Sequence, residues 1–191
     1  GIVFDDGTTS RLAHDHFLMT TTTANAARVM SHMEFCHQAH WPELDVQYVS
    51  VTEQWAQMAI AGPKARATLK KIVDKVTLDD TSFSYLAAKE ISILGGMTAR
   101  LFRISFSGEH AYELAVPADY GNLVARSIMQ AGEEFGITPY GIEALSIMRI
   151  EKGHVAGGEL NGTTTAADLG LGKMMSSKKD YIGRMMAGRE G

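Results

Sequence analysis

Gly95 and Gly96 stand side by side between two strand-like runs, residues 90–94 and 97–106. Paired glycines in that setting specify a tight hairpin, because such a turn needs positive φ and glycine alone adopts it freely. The middle of the chain is therefore committed to antiparallel pairing. In the second run, Phe102, Ile104 and Phe106 share one face while Arg103 and Ser105 face the other way. A polar loop, 107–110, leads to a further alternating run from Tyr112 to Val116. Upstream, 46–61 reads as extended chain, with Ala56, Met58 and Ile60 alternating with polar or small residues. Phe17-Leu18-Met19 and the four threonines after it also read as strand, since β-branched residues suit a pleated surface.

The helical signals lie between and after these runs. Val29, Met30, Met33 and Cys36 form an apolar stripe over 24–40, which Trp41-Pro42 terminates. Gly62-Pro63 opens a second helix with Ala65, Leu69, Ile72 and Val73 on one side. Asp119 is placed to cap a third, with Gly136 at its stop, and Thr138-Pro139 opens a last one that runs to about Gly153. Strands joined by hairpins, with helices packed on them, make an α+β fold with antiparallel sheets; regular βαβ alternation is absent. One subdomain is expected over 46–137, and the flanks, 1–45 and 138–191, are expected to form a second, discontinuous one.

Composition narrows the function classes. A net charge of −4 offers no basic footprint for nucleic acid. No apolar run approaches the ~20 residues that cross a bilayer, and Gly1-Ile2-Val3 before Phe4-Asp5-Asp6 does not read as a signal peptide. The single cysteine, Cys36, excludes an internal disulfide and points to a reducing, cytoplasmic setting. Cys36 and His37, with His40 nearby, lack a fourth ligand at zinc-finger spacing, so no metal site is expected. There is no strand–glycine–helix fingerprint for a nucleotide cofactor.

The chemistry-bearing candidates are few. On the run 112–116, Tyr112, Leu114 and Val116 point to one side, and Glu113 points to the other beside the small Ala115. A carboxylate on a half-buried strand needs a partner. Two readings of Glu113 stand: it grips two adjacent donors of a ligand, or it faces solvent or an ion-pair partner. Asp5-Asp6 before Gly7 is similarly open, as one member of a pocket or as an ordinary turn.

The run Arg103-Ile104-Ser105-Phe106-Ser107-Gly108-Glu109-His110-Ala111-Tyr112-Glu113 resembles the folate-binding signature of the glycine-cleavage T-protein (aminomethyltransferase) family. The wording Phe-Ser-Gly-Glu followed by Tyr-Glu is more similar to the folate-binding region of heterotetrameric sarcosine oxidase alpha subunits. So are Ile137-Thr138-Pro139-Tyr140-Gly141 and Met148-Arg149-Ile150-Glu151-Lys152-Gly153. Asn161-Gly162-Thr163, the run Ala167 to Gly172 and Lys178-Lys179-Asp180-Tyr181-Ile182-Gly183 continue the likeness.

The resemblance implies part of the T-protein fold and a tetrahydrofolate ligand. It places Glu113 on the pterin ring, Tyr112 and Phe106 beside the folate, and Asp5 near its N10 as the catalytic carboxylate. Phe106 replaces a tyrosine of the transferases, losing a hydroxyl and keeping an aromatic face. The transferases' folate-contacting arginine is matched here by Leu145, which leaves Arg149, four residues on, as a further candidate ligand contact. The implied reaction captures the imine of sarcosine oxidation as 5,10-methylenetetrahydrofolate, with FAD or FMN on partner subunits or in regions outside this chain. A free-standing aminomethyltransferase and a non-catalytic folate-binding or docking module are the alternatives.

Overall fold

A computed structural model describes residues 1–188. The chain divides into two compact units. One comprises Gly1–Thr9, Met19–Val49 and the chain from Val155 onward; the other comprises Ser10–Leu18 and Ser50–His154. The expected division differs from this at 10–18 and 138–154, which cluster with the central unit, and at 46–49, which cluster with the other.

Strands β1 (Thr9–Arg11) and β2 (Phe17–Met19) pair as a two-stranded sheet. The threonine run does not prolong β2. Thr20 instead donates its N–H to the Thr8 carbonyl at 2.8 Å, and its hydroxyl accepts the Thr8 N–H at 3.1 Å. A 3-10 turn, Thr23–Asn25, leads into α1 (Ala26–His40), where Cys36 is the one buried residue. The helix stops at Trp41, whose N–H reaches back to the Cys36 and His37 carbonyls. In the same unit the N-terminal segment is tied to 164–165 by the Ile2–Thr165 bridge and by Val3 N–H on the Thr164 carbonyl at 2.9 Å.

The central unit is built on a four-stranded antiparallel sheet. β3 (Trp55–Ala61) is an edge strand, α2 (Ala65–Leu69) follows it, and β4 (Ala88–Ile93), β5 (Met97–Phe102) and β6 (Ala111–Pro117) complete the order β3-β6-β5-β4. The β4–β5 turn forms where the glycine pair demands it. Gly95 and Gly96 take φ of 82° and 127°, and the Asp74 carboxylate accepts both their N–H groups at 2.8 and 3.0 Å. Helix α3 (Gly121–Gly132) follows β6 and buries Val124, Ile128 and Ala131. The core lies on this face of the sheet, where Leu69, Phe83, Leu101, Tyr112, Leu114 and Val124 are wholly buried. Burial of this kind contributes about 1.5–3 kcal/mol per large side chain.

Three local expectations need correction. β5 ends at Phe102 and does not reach 106. Beyond it, the Ser105 hydroxyl accepts the Gly108 N–H at 2.9 Å and Gly108 takes φ of 97°, so a side-chain-closed turn replaces the ladder. Asp119 does not cap α3; the chain enters through a 3-10 turn, Ala118–Tyr120, with no side-chain cap. The last long helix, α4 (Ile142–Lys152), starts after Gly141 in extended backbone and stops at Gly153 with φ of 84°. A short α5 (Arg184–Ala187) closes the described chain. No helix among the described residues is long and apolar enough to cross a membrane.

Candidate functional site

The alternation of β6 sends Tyr112, Leu114 and Val116 into the core and turns Glu113 to the opposite face of the sheet. Glu113 pairs with Ala59 on β3 and Phe102 on β5, and its same-face neighbours along β6 are Ala111 and Ala115. Three alanines thus surround the carboxylate, with the Phe102 ring on one side. Gln57, opposite Ala115, donates its side-chain N–H to Glu113 Oε2. Arg100 lies on the same face, yet its guanidinium is engaged elsewhere: it sits 4.1 Å from the Trp55 ring centre and pairs with Glu90 at 3.1 Å. Burial pushes the Glu113 carboxyl above the usual carboxylate range, and the Gln57 bond pulls it partly back. A half-buried carboxylate with one neutral donor and small neighbours keeps an oxygen for a second partner. The arrangement fits a flat ligand edge that presents adjacent N–H donors.

Tyr112 does not belong to that surface. The expectation that it touches ligand does not fit its placement, because its ring is wholly buried on the core side, stacked on Phe83 at 6.2 Å. Its hydroxyl is the centre of a polar cluster. Arg66 Nε donates to it at 3.1 Å, His110 Nε2 lies at 3.3 Å, and it donates to the Leu78 carbonyl at 3.5 Å. Arg103 Nη2 contacts His110 Nδ1 at 2.9 Å. A guanidinium only donates, so Nδ1 must accept, and the imidazole is neutral with its proton on Nε2. Asp80 pairs with Arg66 and with Arg103, the latter at 3.0 Å.

Desolvation, reinforced by the Arg103 and Arg66 charges and opposed by Asp80, holds His110 below its ordinary value of 6.5. The folded imidazole therefore resists a proton that the unfolded chain takes up. Stability is full above about pH 6.5 and is lost progressively as pH falls toward the folded value. We expect the urea midpoint to fall between pH 6.5 and 5, and His110→Gln to flatten that slope. A midpoint equally pH-dependent in both proteins would rule out His110 as its source.

Phe106 lies in the loop after β5. Its ring stacks on His154 at 5.7 Å with 22° between planes, and its carbonyl accepts the His154 Nδ1–H at 2.8 Å. The Lys152 stem packs against Gly108, where an added Cβ would come within 2.9 Å of it. The signature loop is therefore fastened to the end of α4. Arg149 contributes to the same corner: its Nη1 donates to the His154 carbonyl at 3.1 Å, and its own carbonyl accepts the His154 N–H at 2.8 Å. That places its guanidinium at the C-terminal turn of the helix, where a cation is favourable.

Asp5 lies in the other unit. Its Oδ2 accepts the Thr22 N–H and its Oδ1 accepts the Asn25 side-chain N–H, both at 3.0 Å. Burial acts to raise its carboxyl, but the hydrogen bonds from Asn25 and Thr22 outweigh it and hold the group below the usual range. Asp5 is thus a fixed, ionised carboxylate, suited to stabilising positive charge and ill suited to taking up a proton. Phe4 beside it lies under the Arg28 guanidinium at 4.3 Å and against His32 at 4.8 Å. Gln57, His110 and Asn25 were not singled out by sequence. The alternation of β3 could have placed Gln57 on the Glu113 side; the other two depend on contacts distant along the chain.

The sequence matches the family model described as the GCVT N-terminal domain over residues 1–179. It is 60% identical over 193 residues to the sarcosine oxidase subunit alpha of Rhizobium meliloti (strain 1021), covering 100% of this chain and 20% of that protein. It is 44% identical over 191 residues to the corresponding subunit of Corynebacterium sp. (strain U-96), with the same coverage. The chain thus spans about a fifth of the length of these curated relatives, at 20% of each. Its fold is similar to that of a chain in the heterotetrameric sarcosine oxidase from Corynebacterium sp. U-96 in complex with pyrrole 2-carboxylate. That match has a TM-score of 0.55 and 19% identity, over 74% of this chain and 66% of that one.

Proposed function

The chain belongs to the GCVT N-terminal domain family, and we propose that it is the tetrahydrofolate-binding part of a sarcosine oxidase alpha subunit. In this reading it acts within a cytoplasmic complex whose flavin-bearing parts lie outside this chain and oxidise sarcosine to an imine. The observation that carries the reading is Glu113, a half-buried carboxylate turned away from the core, ringed by alanines and bonded by one neutral donor. Identity of 60% along the whole chain to an alpha subunit supports the assignment to that enzyme.

When bound, tetrahydrofolate supplies the nitrogen nucleophiles that take the one-carbon unit, giving 5,10-methylenetetrahydrofolate and releasing glycine. The chain's own residues bind and orient. Glu113 accepts from adjacent donors of the pterin, fixing the ring in one orientation. Phe106 offers an aromatic face on a loop that His154 and Lys152 hold in place. Asp5 supplies a fixed negative charge, which favours iminium character in the reacting carbon. Tyr112 backs the Glu113 strand from the core, and Arg149 holds the His154 corner on which Phe106 stacks. Much of the rate gain comes from holding the two reactants together, away from water.

Isothermal titration of the full-length protein with tetrahydrofolate tests the reading. We expect saturable binding of one folate per copy of this chain. A docking platform without a ligand site would give no binding heat, and that result would overturn the assignment.

A further inference from the structure

We propose that Gln57 is a positioning residue for Glu113: its side-chain N–H holds Oε2 and aims Oε1 at the ligand. The inference rests on the reading of Glu113 as the ligand anchor and deepens it.

The sheet register makes this contact. Ala59 lies directly opposite Glu113, and Gln57 lies opposite Ala115, so Gln57 is the diagonal neighbour of Glu113 across the β3–β6 pair. Diagonal residues are ~7–8 Å apart along the backbone, within reach of a long side chain and out of reach of a short one. Gln57 meets that distance and its Nε2 donates to Oε2. The strand order leaves little else to do the same work. On the β5 side the partner is the Phe102 ring, which cannot donate. Among the strand residues of this face the other charged groups are Arg100 and Glu90, and they are paired with each other, with Arg100 also covering Trp55. Along β6 the same-face neighbours are alanines.

The choice of a carboxamide has a chemical consequence. A lysine or arginine at this position would neutralise Glu113 and compete with the ligand's donors for both oxygens. A glutamine occupies one oxygen, carries no charge and does not titrate, so the remaining oxygen keeps its full capacity as an acceptor. The bond also offsets the burial that would otherwise favour the neutral acid, which accepts fewer donors. The ligand chemistry this selects is a planar edge with an N–H and an adjacent amino group.

The test is the pH dependence of tetrahydrofolate affinity, titrated anaerobically on the full-length protein. Wild type should lose affinity as pH falls through the folded value of Glu113, which lies above 4.5. In Gln57→Met, which keeps volume and removes the donor, the carboxyl rises further. Affinity at neutral pH should fall roughly tenfold, the scale of a hydrogen bond to a charged group, and the acid limb should move to higher pH. Gln57→Glu should move the limb further in the same direction, since a second carboxylate disfavours ionisation of the first. Titration of the ligand itself is common to all the proteins and cancels in the comparison. Gln57 is exposed, so only a small fall in melting temperature is expected, from the lost bond to Glu113, and a retained cooperative transition checks the fold. Unchanged affinity and an unmoved acid limb in both variants, while Glu113→Gln binds weakly, would overturn the role of Gln57 and leave the anchor standing. Unchanged binding in Glu113→Gln as well would overturn both.

Discussion

Glu113→Gln is expected to weaken tetrahydrofolate binding by roughly 10–100-fold while leaving the protein as stable as before or more so. The two effects have one cause. Glu113 sits on a central strand between Ala59 and Phe102, half-buried, and desolvation raises its carboxyl above the ordinary value of 4.5. For an acid with a raised folded value, the native state binds more protons than the unfolded one. Stability therefore falls as pH rises through that value, and the ionised group opposes folding at neutral pH. Glutamine removes the charge, retains one acceptor and loses the charge-assisted pair that a ligand would complete. A carboxylate that costs stability yet anchors ligand is the pattern expected of a functional group. Calorimetry and chemical denaturation on the same preparation read the two halves of the prediction separately. Loss of stability alongside loss of binding would mean that Glu113 is a structural ion-pair or hydrogen-bond partner.

Asp5→Ala is expected to uncouple the complete enzyme. Sarcosine consumption and peroxide formation should be unchanged if, as proposed above, they belong to flavin-bearing parts outside this chain. The yield of 5,10-methylenetetrahydrofolate should fall by about 10²-fold, the scale of removing one preorganised charge from a reacting centre. The uncaptured imine hydrolyses, so formaldehyde should rise in proportion. Asp5→Asn separates charge from structure, since its one amide oxygen can still accept the Thr22 N–H while its amide N–H can donate to a flipped Asn25 side-chain oxygen. If the charge matters, Asn should uncouple nearly as well as Ala. Because the hydrogen bonds from Asn25 and Thr22 hold Asp5 below its ordinary value of 3.8, capture should show no acid limb from this group between about pH 5 and 8. Equal loss of peroxide and methylene-folate would sink the assignment.

The parts of the fold legible in the sequence are those fixed by local chemistry. Gly95 and Gly96 specified the β4–β5 hairpin because positive φ is a local demand. The alternation of β6 put Glu113 opposite Tyr112 and Leu114, as the structure has it. Taken seriously, the same alternation also argued against Tyr112 as a ligand contact, since it assigned Tyr112 to the side of Leu114 and Val116. The end of β5 was not legible. Phe102, Ile104 and Phe106 alternate well beyond the point where Ser105 and Gly108 close a turn. The His110 cluster was not legible either, because Arg66, Asp80 and Arg103 converge on it from separate elements. Gln57 was half legible: its face follows from β3, but its contact with Glu113 needs the β3–β6 register, which no local signal sets.

We propose that the face of the sheet carrying Glu113 holds the pterin of a folate. An experimental structure of the full-length protein with tetrahydrofolate bound tests it most directly. The predicted result has the pterin within hydrogen-bonding distance of the Glu113 carboxylate, with Gln57 still on Oε2. A pterin bound elsewhere, with Glu113 facing only solvent or a protein cation, would contradict it.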